Sequence, residues 1–78
     1  MDYSIRAEMV ASVHSVVVDA GTAVMVGDTL MILESMKMEI PVLSEFAGTV
    51  REISVVPGDV VQEGDVLAIV IRGENALP

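Results

Sequence analysis

The 78-residue sequence predicts an all-β fold, arranged as a sandwich or flattened barrel of short strands. Hydrophobic residues make up 53% of the chain, and its apolar runs are rich in valine, whose branched β-carbon favours strands over helices. Turn signals that contain glycine interrupt these runs at short intervals, and no window has a helical period. The chain also repeats itself once, and this repeat organises the predicted elements.

The repeat is visible when the sequence is shifted against itself by 37 residues, which aligns residues 5–34 with residues 42–71. Apolar, glycine and aspartate positions coincide in this alignment. We expect the two halves to pack about a pseudo-two-fold axis in a single domain, residues 1–78, with residues 72–78 as a flexible tail. The coinciding pairs are Val13 with Val50, Val18 with Val55, Gly21 with Gly58, Val24 with Val61, Gly27 with Gly64, Asp28 with Asp65, Leu30 with Leu67 and Ile32 with Ile69.

Eight strands are predicted, four in each half, and the turns between them fall at matching places. Asp19-Ala20-Gly21-Thr22 and Val56-Pro57-Gly58-Asp59 both put glycine third in a four-residue turn, the position of a type II turn that requires a positive φ. Gly27-Asp28 and Gly64-Asp65 mark a second turn just before the last strand of each half. The strands are expected near residues 3–8, 13–18, 23–25, 29–35, 38–43, 48–55, 60–62 and 66–71.

The second strand of each half has an irregular apolar pattern. Val13, Val16 and Val18 break the two-residue period of a regular strand, and the aligned residues of the other half break it in the same way. One extra residue in a strand produces such a break. We therefore predict a β-bulge or a strong bend near residues 14–15 and again near residues 51–52.

Charge and composition argue against several classes of function. The formal net charge of −8 repels phosphate backbones, so we expect no nucleic-acid binding. With no cysteine and one histidine, no transition-metal site is expected, and we interpret His14 as a surface residue. The longest apolar run, residues 66–71, is far shorter than the ~20 residues of a membrane-spanning helix, and the amino terminus has no secretory signal pattern. We expect a cytoplasmic monomer without a membrane interaction.

Lys37 is the only lysine of the chain and lies between the two halves, in the segment ESMKME at residues 34–39. If Glu34 ends one strand and Glu39 begins the next, Met36 and Lys37 form the tip of a tight hairpin. Hairpin turns of type I′ favour Asn-Gly, so Met-Lys at a tip is a poor choice for folding and indicates a functional site. An exposed lysine amine is protonated at neutral pH, so we expect Lys37 to be a substrate and not a catalyst.

This segment closely resembles the biotin attachment motif of biotinyl domains, which is most often Ala-Met-Lys-Met. The resemblance to the biotinyl/lipoyl domain family covers about residues 5–71 and is strongest to small free-standing bacterial attachment proteins of the biotin carboxyl carrier type. The family implies a flattened barrel of two four-stranded antiparallel sheets with the attachment lysine on a hairpin tip. Ser35, Glu8 and Ala11 depart from the family pattern, which more often has alanine, proline and glycine there. The other matching residues are Gly21, Gly27, Asp28, Gly48, Gly58, Gly64 and Asp65.

The resemblance implies a carrier function and not an enzymatic one. Biotin protein ligase is expected to join the carboxylate of biotin to the amine of Lys37, which makes biotin the expected cofactor. The domain is then expected to carry carboxybiotin between a biotin carboxylase and a carboxyltransferase, as a non-catalytic component of a biotin-dependent carboxylase. The expected recognition residues are Glu34, Ser35, Met36, Met38 and Glu39.

Two alternatives to a biotin carrier stay open at this point. Lipoyl domains share the fold but typically have Asp-Lys-Ala at the attachment site, so Met36 and Met38 favour biotin over lipoate on Lys37. An unmodified β-domain that serves as an interaction or regulatory module would keep the fold without a prosthetic group. An enzyme ranks last, because the sequence offers no catalytic triad and no phosphate-binding loop between a strand and a helix.

Overall fold

The structure is a computed structural model that describes residues 2–72. Its eight strands form two four-stranded antiparallel sheets, with the orders β1-β8-β6-β3 and β5-β4-β2-β7, which confirms the predicted fold class. Within this part of the chain, no helix has the length and apolarity needed to cross a membrane. The strands are β1 (Asp2–Arg6), β2 (Ala11–Val16), β3 (Ala23–Val24), β4 (Thr29–Ser35), β5 (Met38–Leu43), β6 (Gly48–Ile53), β7 (Val60–Val61) and β8 (Val66–Arg72).

The two halves of the repeat are interleaved and do not form one sheet each. The first sheet combines β1 and β3 of the first half with β6 and β8 of the second, and the other sheet combines β5 and β7 with β2 and β4. The two strand orders are related by exchanging the halves, as the pseudo-two-fold repeat requires. Because each sheet takes strands from both halves, neither half can complete a sheet without the other.

The predicted strand boundaries agree with the structure except near the bulged strands and the first strand. β1 (Asp2–Arg6) lies closer to the amino terminus than the predicted residues 3–8. β2 (Ala11–Val16) is likewise shifted towards the amino terminus from the predicted residues 13–18. β6 ends at Ile53 and not at residue 55. Val18 and Val55 pack against the core from the segments that follow these strands, so their apolar character reflects burial outside a strand. Arg72, the first residue of the predicted tail, belongs to β8, and residues 73–78 lie outside the described part.

The predicted turns are confirmed, and their aspartates have a direct structural role. Gly21 and Gly58 have φ values of 97° and 100°, as the third residue of a type II turn requires. In each of the four turns, the backbone N–H of the fourth residue donates to the carbonyl of the first residue at 2.9–3.1 Å. The side-chain oxygen of that fourth residue accepts the N–H of the first residue in return. The fourth residues are Thr22, Asp28, Asp59 and Asp65, with side-chain distances of 3.1, 2.8, 3.0 and 2.9 Å.

Both predicted bulges are present at the predicted places. The pairing of β2 with β4 shifts between Val13 and Ser15, and the pairing of β6 with β8 shifts between Val50 and Glu52. His14 is therefore the extra residue in β2, in the position that Arg51 occupies in β6. Val13 and Val50, which immediately precede the extra residues, are buried in the core, with 2% and 1% of their surfaces exposed.

The core lies between the two sheets and is almost entirely aliphatic. Leu30 and Leu67, which occupy equivalent places in the two halves, are both completely buried. The departures from the family pattern are accommodated: Glu8 is exposed in the segment between β1 and β2, and Ala11 is buried opposite Val61 of β7. The buried apolar residues are Ile5, Ala7, Ala11, Val13, Val24, Leu30, Met31, Leu33, Val50, Val55, Val61, Leu67, Ala68 and Val70.

Candidate functional site: the Lys37 hairpin

Lys37 lies at the tip of the hairpin between β4 and β5, as predicted. Ser35 and Met38 are the last residues paired across the hairpin, so the loop has two residues, Met36 and Lys37. Their φ values are 54° and 65°, the positive values at both central residues that a type I′ turn requires. They are the only residues other than glycine with a positive φ in the described part of the chain. The most unfavourable backbone conformation is thus concentrated at the predicted attachment lysine.

The tip is held by the register of the two strands beneath it. Leu33 of β4 is opposite Ile40 of β5; Leu33 is 3% exposed and belongs to the core, and Ile40 is partly buried and packs against the core. The next pair towards the tip is Glu34 opposite Glu39, and side chains alternate between the two faces of a strand, so both carboxylates point away from the core. The hairpin therefore projects from a packed sheet whose register is fixed by burial.

The side chains at the tip are exposed. Met36 and Met38 have 91% and 65% of their surfaces exposed, and Lys37 is also exposed, whereas Ser35 is partly buried. Within residues 2–72, the Lys37 amine has no ion-pair or hydrogen-bond partner. Neither methionine belongs to the hydrophobic core. The amine is therefore available to an enzyme that approaches the tip from outside.

The outer face next to the tip carries an acidic pair with a histidine beside it. Glu34 and Glu39 are directly opposite each other on paired strands, an arrangement in which like charges repel. The Nε2 atom of His14 lies 3.7 Å from Oε2 of Glu39, and both side chains are substantially exposed. Sequence reasoning correctly made His14 a surface residue but did not place it near the hairpin. The predicted bulge makes His14 the extra residue of β2, but it does not indicate which other strand the side chain approaches.

The site is a projection and not a pocket. A groove of ≈ 710 Å³ runs between β1 and β5, and its lining includes Ile40 and Leu33 but none of residues 34–39. No group of three or more potential metal ligands occurs among residues 2–72. Within residues 2–72 the amine is bonded to no group that could take its proton. Acylation therefore needs an enzyme that brings both the activated acyl group and the proton acceptor.

Comparison with known proteins gives relatives that share this architecture. The chain is 54% identical over 70 residues to a protein named "Biotinylated protein TB7.3 homolog" from Mycobacterium leprae, and the match covers 90% of this chain and 99% of that protein. It superimposes with a TM-score of 0.85 on part of a single-chain, multi-domain long-chain acyl-CoA carboxylase, at 30% identity, over 99% of this chain and 8% of the larger one. It also superimposes with a TM-score of 0.71 on the lipoyl domain of the 2-oxoglutarate dehydrogenase complex from Azotobacter vinelandii, at 28% identity, over 82% of this chain and 81% of that domain.

The family comparison covers the region that contains both halves of the repeat and the Lys37 hairpin. The matching model is described as "Biotin-requiring enzyme" (Biotin_lipoyl) and extends over residues 4–70. That range begins within β1, ends within β8 and includes all six strands between them. The fold, the hairpin and the sequence match therefore agree, and the chain belongs to the Biotin_lipoyl family.

Proposed function

We propose that this chain is a biotin carboxyl carrier in which Lys37 holds biotin through an amide bond. The observation that supports this most strongly is the position of the only lysine, exposed and unpaired within residues 2–72, at a two-residue hairpin tip with a methionine on each side. Among the relatives, a protein matched over nearly its whole length is named as biotinylated, and one structural neighbour is an acyl-CoA carboxylase.

Attachment requires little chemistry from the chain itself. A biotin protein ligase first converts the carboxylate of biotin into an activated acyl group that carries a leaving group. The Lys37 ammonium gives one proton to the ligase, and its neutral nitrogen then attacks the activated carbonyl carbon. The C–N bond forms, the bond to the leaving group breaks, and the nitrogen loses a second proton as the amide forms. The chain contributes an amine that is accessible from outside and held at a fixed place by the register of β4 and β5. Acylation removes the only lysine charge and takes the formal net charge from −8 to −9.

The carrier role follows from tethering. When bound, biotin supplies the ring that accepts and donates the carboxyl group. A group attached to the lysine side chain can reach a biotin carboxylase and a carboxyltransferase in turn, and each encounter becomes effectively intramolecular once the domain is docked. The rigid hairpin restricts motion to the side-chain arm. Glu34, Ser35, Met36, Met38 and Glu39 form the surface that the partner enzymes contact.

A lipoyl carrier is the second candidate, because the fold is shared with a lipoyl domain. The two exposed methionines favour biotin. They replace the Asp and Ala that typically flank a lipoylated lysine, and at 91% and 65% exposure they are available to a partner that discriminates between the two domains. An unmodified interaction module is the remaining alternative, and it gives no reason for the unfavourable Met-Lys turn.

Expression with a biotin protein ligase and biotin, and in parallel with a lipoate ligase and lipoate, separates these functions. Intact mass and avidin blotting should show one biotinyl group and no lipoyl group. The Lys37→Arg variant keeps the positive charge at the tip and should give no avidin signal, because no other side-chain amine exists. A lipoyl adduct alone would establish the second candidate, and unmodified protein in both arms would favour the interaction module. Avidin signal in Lys37→Arg would refute the assignment of the site.

A further inference from the structure

The methionines beside Lys37 differ in exposure from the methionine in the core. Met36 and Met38 are 91% and 65% exposed, whereas Met31, on the buried face of β4, is completely buried. Met25 is as exposed as Met38, at 66%, but it lies in the turn before β4. Among the described residues there are thus two exposed thioethers at the attachment site, a similarly exposed one at Met25, a less exposed one at Met9 (39%) and a protected one in the core.

Nothing in the fold requires the two exposed thioethers. Met36 occupies a position with a positive φ, where a small or Asn side chain is favoured, and its side chain adds almost no packing because it is 91% exposed. Met38 is the first residue of β5, forms the pair nearest the tip in the pairing of β4 with β5, and is also outside the core. A flexible apolar side chain at such places is suited to contact with a partner surface.

We propose that Met36 and Met38 are sites of reversible oxidation by peroxide, and that their oxidation blocks the enzymes that act on Lys37. The sulfur lone pair attacks one oxygen of hydrogen peroxide, the O–O bond breaks and an S–O bond forms. The sulfur is oxidised by two electrons, and the departing oxygen takes up the proton of the transferred oxygen and leaves as water. The product is methionine sulfoxide. A sulfoxide reductase supplied with two thiols returns it to the thioether, with a disulfide and water as products.

The effect on recognition follows from polarity. A sulfoxide is polar and chiral, and burying it in a partner's apolar contact without a new hydrogen bond is unfavourable. This step rests on the proposed function, because it assumes that partner enzymes contact the methionines during biotinylation or during transfer of the carboxyl group. We expect oxidation of both residues to lower the rate of at least one of these reactions by about tenfold or more.

The chain contains its own controls for this proposal. The backbone of Gly27, in the same turn as Met25, donates a hydrogen bond to the carbonyl of Ser44 at 2.8 Å, and Ser44 is six residues along the chain from Met38. At the rise of a β-strand this places the turn about 20 Å from the tip. Oxidation of Met25 should therefore occur as readily as that of Met38 and leave reactions at Lys37 unchanged. Oxidation of Met31 should be much slower, because its sulfur is enclosed by the core.

The test treats the full chain with hydrogen peroxide and follows each methionine by peptide mass mapping. The treated and untreated forms are then compared in two assays, biotin incorporation by a biotin protein ligase and carboxylation of the biotinylated protein by a biotin carboxylase. The same ratio of treated to untreated rates is measured for Met36→Leu/Met38→Leu, whose tip cannot form sulfoxides, and for Met25→Leu. Sulfoxide reductase and a dithiol are added at the end to restore the thioethers.

Support requires that Met36 and Met38 oxidise well before Met31 and that one or both rates fall about tenfold in the wild-type chain and in Met25→Leu. The Met36→Leu/Met38→Leu chain should keep its own starting rate after peroxide, and the reductase should restore the wild-type rate. The proposal is wrong if mapped sulfoxides at both tip residues leave both rates unchanged, or if the double variant loses as much as the wild type. If untreated protein accepts no biotin, the proposed function fails first and this inference fails with it.

Discussion

The positive φ at Met36 makes a specific prediction about stability. Non-glycine residues in the left-handed region lose roughly 1–2 kcal/mol relative to their favoured conformations, and Asn tolerates that region better than Met. Met36 has a φ of 54° and is 91% exposed, so its replacement removes unfavourable backbone conformation and almost no packing. We expect Met36→Asn to raise the free energy of unfolding by about 0.5–1 kcal/mol.

Urea and thermal unfolding measure this effect directly. For a domain of this size, a gain of about 0.5–1 kcal/mol corresponds to an increase in Tm of roughly 2–8 °C. The matched control is Met38→Asn, the same substitution two residues away at a strand position without a positive φ. This control should be neutral or destabilising by up to about 1 kcal/mol, because Asn is unfavourable in strands.

The outcome also bears on why methionine is present at the tip. If Met36→Asn stabilises the domain and slows biotinylation or carboxylation, then the native residue favours partner contact over turn stability. A Met36→Asn domain with unchanged or lower stability would refute the conclusion that the turn is conformationally unfavourable. A gain of equal size in Met38→Asn would also refute it, because the effect would then have no connection with φ.

Three further substitutions test the fold, each by urea denaturation. Gly48→Ala should destabilise by about 2 kcal/mol or more, because a Cβ on Gly48 would lie 2.0 Å from the backbone carbonyl oxygen of Ile71; a stable variant with unchanged β6–β8 pairing would contradict this. Leu67→Ala should lose about 3–5 kcal/mol, since Leu67 is completely buried, and a loss below about 1 kcal/mol would mean that the core is not packed as described. Asp65→Ala should cost about 0.5–1.5 kcal/mol by removing the carboxylate that accepts the Gln62 N–H, and no loss would show that solvent replaces this bond fully.

Local features of the fold were predictable from the sequence because they depend on neighbouring residues. Gly21 and Gly58 were placed correctly in their turns because the third residue of a type II turn needs a positive φ. The bulges at His14 and Arg51 were found because an extra residue changes the alternation of apolar side chains within one strand. The predicted ends of β2 and β6 were less accurate, because Val18 and Val55 are apolar and packed although they follow these strands. In the sequence, an apolar residue buried after a strand cannot be distinguished from one buried within it.

The candidate site was predictable in its position but not in its surroundings. The uniqueness of Lys37 and its place between the repeat halves located the tip. The proximity of His14 to Glu39 was not predictable, because these residues are 25 positions apart in sequence and meet only when β2, β4 and β5 are aligned in one sheet. The high exposure of Met36 follows from the two-residue loop, which in turn depends on the pairing of Ser35 with Met38.

The sequence by itself determined the all-β class, the eight strands, the turns, the bulges and the lysine at the centre of the repeat, because short-range φ requirements and alternation specify them. Only the tertiary structure decided how the halves interleave, since strand partners depend on which arrangement buries both apolar faces at once. The tertiary structure also explains why the equivalent positions 11 and 48 of the two halves hold different residues. Ala11 fits in the core, whereas a side chain at Gly48 would meet a carbonyl of β8, a contact created by strand pairing across the repeat.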